Sequence, residues 1–302
     1  MIEKVLNIMM LFVMPFLFTG IIAKVKAWWG GRKGPRIIQP FFDCARLLRK
    51  GEVISTTTSY VFRISPSVSL AAIIGAGLLV PICNHKSFLS FSGDFIVFAY
   101  ILALAKFLNI SAAFDTGSSF EGMGAAREAA FSSLVEPALF IIFASLAMLC
   151  SCFSFEGFFL TVNSSSVSGS MAVLGILAFF VILIVEGCRV PVDDPNTHLE
   201  LTMVHEVMVL DNSGPDLAFI NFASAMKMTV ITFLMAQFII PAGAGIWGSC
   251  GLLVVFTAAT AVIIGTVESL LARFRMTHVP QFIFFSSMAA LIMAFVVAFF
   301  NL

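Results

Sequence analysis

The chain has 302 residues, of which 60% are hydrophobic and only 11% charged, with a mean hydropathy of +1.03. Soluble domains carry about a quarter charged residues and are about half apolar, so this composition excludes a water-soluble fold for most of the chain. The net charge of zero removes any bulk electrostatic case for nucleic-acid binding.

A helix needs about 20 mainly apolar residues to cross a bilayer, and eight runs meet that length, at roughly 5–23, 65–84, 94–114, 131–152, 168–188, 217–240, 249–271 and 279–301. They lack the alternation of a membrane barrel, so the expected fold is an all-α membrane protein, a single integral domain over residues 1–302. The first run has one Lys before it and no small-residue cleavage site after it, so it reads as a retained span. Pro66 suits an early helix position and Pro81 a late one. With the N-terminus outside, thirteen of the seventeen Lys and Arg residues fall on the inner side. Lys4 and Lys86 lie outside, and Lys106 and Lys227 within spans. The excess of inner positive charge therefore places both termini outside and the stretch from Glu186 to Asp216 in the cytoplasm.

The first inner loop, over 24–64, is basic. It opens with a turn-forming GGRKGP, and its IIQPFFDCARLLRKGEV portion mixes Phe41, Phe42, Leu47 and Leu48 with Asp43, Arg46, Arg49 and Lys50. This pattern predicts a short amphipathic helix in the plane of the interface. The second inner loop, near 115–130, is rich in Gly and Ser, with GAAREAAF starting the helix that enters the fourth span. The outer TVNSSSVSGS stretch reads as a plain polar connector. No internal repeat is visible, which weighs against a transporter built of two equivalent halves.

The stretch from Glu186 to Asp216 is the most unusual. It holds seven of the chain's seventeen carboxylates, two of its four histidines (His198, His205) and one basic residue, Arg189. Asp194-Pro195 is a helix start, and Leu199, Met203, Val207 and Leu210 recur at helical spacing. A structured loop helix is therefore expected to run to about Leu210, within an acidic docking loop over 189–216. His198 and His205 are seven apart, not the i, i+4 of a helical metal pair. Asp193 and Asp194 suit a turn and a cap.

An ionisable group at the centre of a span costs about 2.5–3.5 kcal/mol by insertion scales, which makes it a functional candidate. Lys106, Glu136, Glu186, Lys227 and Glu268 are such groups. Carboxylates in a low-dielectric interior move toward neutrality and can exchange protons near neutral pH, and a nearby Lys opposes this. A proton relay or a cation site would use that chemistry. The structural alternatives are local: Glu268 paired with Arg273 or Arg275, Glu186 paired with Arg189, and Lys106 snorkelling along its stem. Glu136 and Lys227 have no such local partner. The six cysteines form no CxxC and lack a His at zinc spacing, so most read as small apolar residues in helices and no metal site is expected.

GRKGPRIIQPFFDCARLLRKGEVIS resembles the GRxGP…LLQPxxDxxKLxxKE segment of the H subunit of respiratory complex I. GAAREAAFSSLVEP is similar to that subunit's GALRAAAQMISYE, and EGCRVPVDDPNTHLELT to its AExNRxPFDLPEGEAELV. The likeness covers about residues 30–240, with three motifs in order. NTHLELTMVHEVMVLDNSGPDLA is closer to the version in membrane-bound group 4 NiFe hydrogenases, the hydrogenase-4 and formate hydrogenlyase type. Asn196, Thr197 and His198 replace PEGE, and Glu206 does not fall in the register of the quinone-linked subunit's later loop Glu.

The resemblance implies an eight-helix membrane subunit that docks a peripheral redox arm and passes protons or a conformational signal to antiporter-like subunits. By motif, Glu136, Glu186, Arg189, Asp193 and Glu200 carry over; Lys106, Lys227 and Glu268 lie outside the motifs. The relay set is thus Glu136, Glu186, Glu200, Asp193, Lys227, Lys106 and Glu268, with Arg189, Glu206, Arg36 and Asp43 as structural or docking residues. This chain would carry no cofactor. The NiFe centre and the iron–sulfur clusters would sit on hydrogenase large and small subunits, with the assembly in the cytoplasmic membrane of a prokaryote. The alternatives are the same scaffold with a quinone site in complex I, and a free-standing proton or sodium transporter.

Overall fold

In hydrocarbon a backbone N–H or C=O finds no partner but the chain itself, so long apolar runs become helices. A computed structural model describes residues 2–150, 152–164, 168–193, 203–241 and 243–300, and all regular structure among them is helical. In chain order the helices are α1 (Ile2–Trp29), α2 (Gln39–Leu47), α3 (Tyr60–Leu79), α4 (Asp94–Asp115), α5 (Ser119–Cys150), α6 (Phe155–Ser164), α7 (Ser168–Glu186), α8 (His205–Met208), α9 (Gly214–Gln237), α10 (Ile246–Leu270) and α11 (Val279–Phe300). Eight of them (α1, α3, α4, α5, α7, α9, α10, α11) are long and apolar enough to span a membrane, as the hydropathy predicts.

Burial separates the spans into a centre and a ring. In α9, 67% of the apolar window is buried and in α7 56%, against 33–39% for the other six. Around this pair, α3 packs on α4 and α9, α1 on α10 and α9, and α11 on α5 and α7. Phe95, Phe98, Phe143 and Phe155 interlock edge to face between α4, α5 and α6, with Phe158 tilted against Phe95. The two central helices are the ones that carry Glu186 and Lys227. Amphipathic α2 forms where its sequence predicts, with Pro40 in its first turn.

Four local expectations are corrected. The Gly- and Ser-rich stretch at 115–130 is mostly helix, because α5 begins at Ser119 and runs unbroken for 32 residues. One of its glycines serves a close approach: a Cβ on Gly124 would lie 2.9 Å from the carbonyl oxygen of Val204. The first four residues of the TVNSSSVSGS connector belong to α6, whose Phe155, Phe158, Phe159 and Val162 are fully buried. Pro66 stands inside α3, which starts earlier at Tyr60 with the Ser59 side chain accepting from the N–H of Val61. The expected loop helix ending near Leu210 is interrupted, because Met203 and Val204 are not helical and α8 covers only His205–Met208; residues 194–202, including Glu200 and His198, lie outside the described residues.

The end of the bundle that carries the N-terminus is closed at the 81–86 turn. Cys83 and Cys250 form a disulfide with Cα atoms 5.4 Å apart, a pairing that scattered cysteine spacing did not reveal. Asn7 of α1 donates to the Lys86 carbonyl (3.0 Å) and accepts from the Cys83 N–H (3.1 Å). Gln237 of α9 donates to the carbonyls of Pro81 (2.9 Å) and Ile82 (3.1 Å), and the Asn84 N–H donates to Ser249 of α10 (3.0 Å). Four spans thus converge on one turn, with His85 buried beneath it.

Candidate functional site

Helix α7 ends at Glu186 because Gly187 follows and Cys188 takes a left-handed φ of 46°. Gly187 also lets α7 lie against α9, since a Cβ there would meet the Met228 sulfur at 2.6 Å. That contact brings Glu186 beside Lys227 of α9, at 3.3 Å, while Lys106 of α4 makes a short ion pair with its other oxygen. The three side chains are 8%, 13% and 10% exposed, so the charges are desolvated together. A buried charge persists only when paired, and here one carboxylate answers two ammonium groups.

Two further carboxylates, Glu128 and Glu136, come from α5. Glu128 is buried, acts electrostatically on Lys227, and has Oε2 3.4 Å from the Cys188 sulfur. The GAAREAAF motif contains this residue, but at the level of sequence it reads as part of a helix start. Burial, and then the neighbouring Glu128, push the Cys188 thiol well above its usual range, with Lys227 opposing.

Beside Lys106 and Glu186 is a cavity of about 90 Å³ that Glu136 also lines. Its remaining walls are apolar, and its rim includes Tyr100, 68% exposed on the lateral surface. Pro137, directly after Glu136, lies inside α5 and removes one rung of the helical ladder there. The structure thus gathers Lys106, Glu136, Glu186 and Lys227 into one embedded group.

A second group sits at the bundle end that holds the basic loops. Glu268 of α10, with its side chain fully buried, lies between Lys26 (2.7 Å) and Arg189 (3.4 Å). Asp193 pairs with Arg273 (3.2 Å) and accepts the N–H groups of Val204 (2.9 Å) and His205 (3.3 Å), so it caps the start of α8. A cavity of about 290 Å³ opens here, lined by Asp43 of α2, by Cys188, Arg189 and Asp193, and by Glu206 of α8. Arg36 is exposed on the first loop, and Asp43 is 3.6 Å from Arg46.

The locally expected pairs do not form. Glu186 meets Lys106 and Lys227 in place of Arg189, Glu268 meets Lys26 and Arg189 in place of Arg273 or Arg275, and Lys106 points inward and does not snorkel. The reason is the sharp turn after Glu186, which swings Arg189 toward α10. Lys26 joins because α1 extends past residue 23 to Trp29. Among the described residues no group of three or more His, Cys, Asp and Glu side chains is placed to hold a metal ion.

The sequence profile of the NADH dehydrogenase family matches residues 2–299. Hydrogenase-4 component C of Escherichia coli (strain K12) is 30% identical over 227 residues, 75% of this chain and 71% of that protein. Formate hydrogenlyase subunit 4 of the same strain is 27% identical over 281 residues, 90% of this chain and 91% of that one. In fold, the chain is similar to a chain of the membrane-bound sulfane sulfur reductase, an archaeal respiratory membrane complex. The TM-score is 0.83 with 21% identity, covering 98% of both chains.

Proposed function

The chain belongs to the NADH dehydrogenase family, and we propose that within it this protein is the multi-pass membrane anchor and coupling subunit of an energy-converting hydrogenase or formate hydrogenlyase-like complex. Its two curated relatives, hydrogenase-4 component C and formate hydrogenlyase subunit 4, support that setting. Hydrogen chemistry would occur on partner hydrogenase large and small subunits. This chain would contribute the dock and the ion path.

One observation carries the coupling reading: Glu186 is held between two buried lysines and borders a cavity shared with Glu136. Side chains kept charged only by each other change partners when one proton moves, which makes them relay groups. In this reading Glu136, Glu186, Lys106 and Lys227 move the proton, and the exposed rim at Tyr100 faces an antiporter-like neighbour. Glu268, Arg189 and Asp193 hold the docking face, with Glu206, Asp43 and Arg36 presented to the peripheral arm. The disulfide supports an outside N-terminus. It lies at the end with only Lys4 and Lys86, and disulfides persist in oxidising compartments.

The test is proton uptake by inverted membrane vesicles driven by the complex's own redox reaction. Glu136→Gln should abolish uptake while the complex stays assembled; uptake at the wild-type rate would make Glu136 structural. Reversing the charge at Asp193 and Glu200 should release the peripheral subunits, and unchanged retention in a pull-down would reject docking there. The 290 Å³ cavity favours a second reading, a quinone site. Inhibition by a quinone analogue would favour it. A free-standing transporter would purify without a hydrogenase large subunit.

A further inference from the structure

We propose that one water molecule is a fixed part of this fold, bound in a small cavity where α8 and the turn before α9 meet α3 and α4. The cavity is about 10 Å³ and is lined by Ser65 of α3, Asn109 of α4, His205 of α8 and Asn212, with Met208 and Ile220 among its apolar walls. Two atoms from this lining, His205 Nε2 and Asn212 Oδ1, are buried and have no hydrogen-bond partner among the described residues. Asn109 and Ser65 already face each other, since Asn109 Oδ1 accepts from Ser65 at 3.4 Å and from Ser69 at 2.7 Å. A buried ring nitrogen and a buried amide oxygen left unpaired are both disfavoured, and a polar site with room for it takes a water in answer.

Size and chemistry select the occupant. A single water needs about 10–15 Å³ of such space and two to four polar partners, and this cavity matches on both counts. Water can donate to Asn212 Oδ1 and still donate to or accept from His205 Nε2, whichever tautomer the ring holds. A hard cation takes about six oxygen ligands, more than this lining supplies, and no charged side chain lines the cavity to offset it. The bound water has a mechanical role. Helix α8 has only four residues, and Asp193 fixes its start by accepting the N–H groups of Val204 and His205. The water fixes its other side by joining the His205 ring to Asn212, beside the Ser65–Asn109 contact of α3 and α4. His205 also lines the larger cavity, so the same ring borders both spaces.

The experiment is a density map of the whole assembly purified through this chain, at a resolution that shows ordered water elsewhere in its interior. An isolated peak within hydrogen-bond distance of both His205 Nε2 and Asn212 Oδ1 is expected. An empty cavity, a His205 ring turned to bond Asn212 directly, or a cation ringed by short oxygen contacts would overturn the proposal. Melting temperature in detergent gives an independent readout. Asn212→Leu and His205→Phe each strand a polar atom that the water had satisfied, so each alone should lower the melting temperature. The double variant leaves neither atom behind and should lose less than the sum of the two. Additive losses would mean that no water is shared, and would overturn the proposal. If a variant does not assemble, the wild-type map decides alone.

Discussion

The two ends of this bundle are closed by different chemistry. At the N-terminal end, one disulfide and hydrogen bonds to the side-chain amides of Asn7 and Gln237 and the hydroxyl of Ser249 tie α1, α3, α9 and α10 to a single turn. From mid-bilayer to the opposite end, Glu186 and Glu268 each sit between two cations, and two cavities open beside them. Covalent and neutral bonds hold a position whatever the local proton concentration. Ion pairs hold it only while their protons stay in place. The contrast teaches that one end is held mainly by bonds that do not depend on a proton's place, whereas the packing of the other rests on where its protons sit.

The sharpest way to break this contrast is at Glu186. Glu186→Gln leaves Lys106 and Lys227 buried with one answering charge too few, and breaking a buried pair costs about 3–5 kcal/mol. The melting temperature in detergent should fall steeply and driven proton uptake should cease. Adding Lys227→Met rebalances the charge and should restore most of the stability but none of the uptake. If the single variant melts like wild type, the embedded group is not desolvated as described.

Next in size is the frame. Replacing Cys83 and Cys250 with Ser should cost about 2–4 kcal/mol, the usual worth of a disulfide, seen as a lower melting temperature that added reductant no longer changes. Proton uptake should be untouched. A loss of uptake alongside the stability would show that the N-terminal end takes part in coupling.

Glu268→Gln should cost less, about 1–3 kcal/mol for an unpaired buried group. Its partners Lys26 and Arg189 have side chains 25% and 18% exposed, so both can rehydrate. Uptake should persist. If it vanishes, Glu268 belongs to the relay and not to the docking face.

The smallest effect concerns His85. Burial lowers its pKa, so the folded protein holds it neutral while the unfolded chain still titrates near 6.5. Stability from this group is complete above the unfolded value and is lost as pH falls below it toward the folded value. His85→Gln should flatten that acid limb of a melting-temperature profile. An unchanged profile would mean that other groups govern it.

Much of the fold was legible in the residues. Eight hydropathic runs became eight spans, and the mixed FFDCARLL pattern became α2. The embedded site was half legible: Glu136, Glu186, Lys106 and Lys227 stood out because a charge in an apolar run is conspicuous. Glu128 did not, since Arg127 and a Gly-rich stretch made its surroundings look like a solvated helix start. Helix α6 was missed because its ten residues are too short to span, and its buried face shows only once Phe95 and Phe143 surround it.

The amino-acid sequence by itself determined how many times this chain crosses a membrane and which charges would have to be hidden there. Transfer into lipid is a local property that sums along each run, so no neighbour needs to be known. Only the packed structure decided which cation answers which carboxylate. Pairing depends on how far each helix is rotated and how deep it sits, and those are set by close contacts such as Gly187 against Met228 and by the turn at Cys188 that sends Arg189 to Glu268.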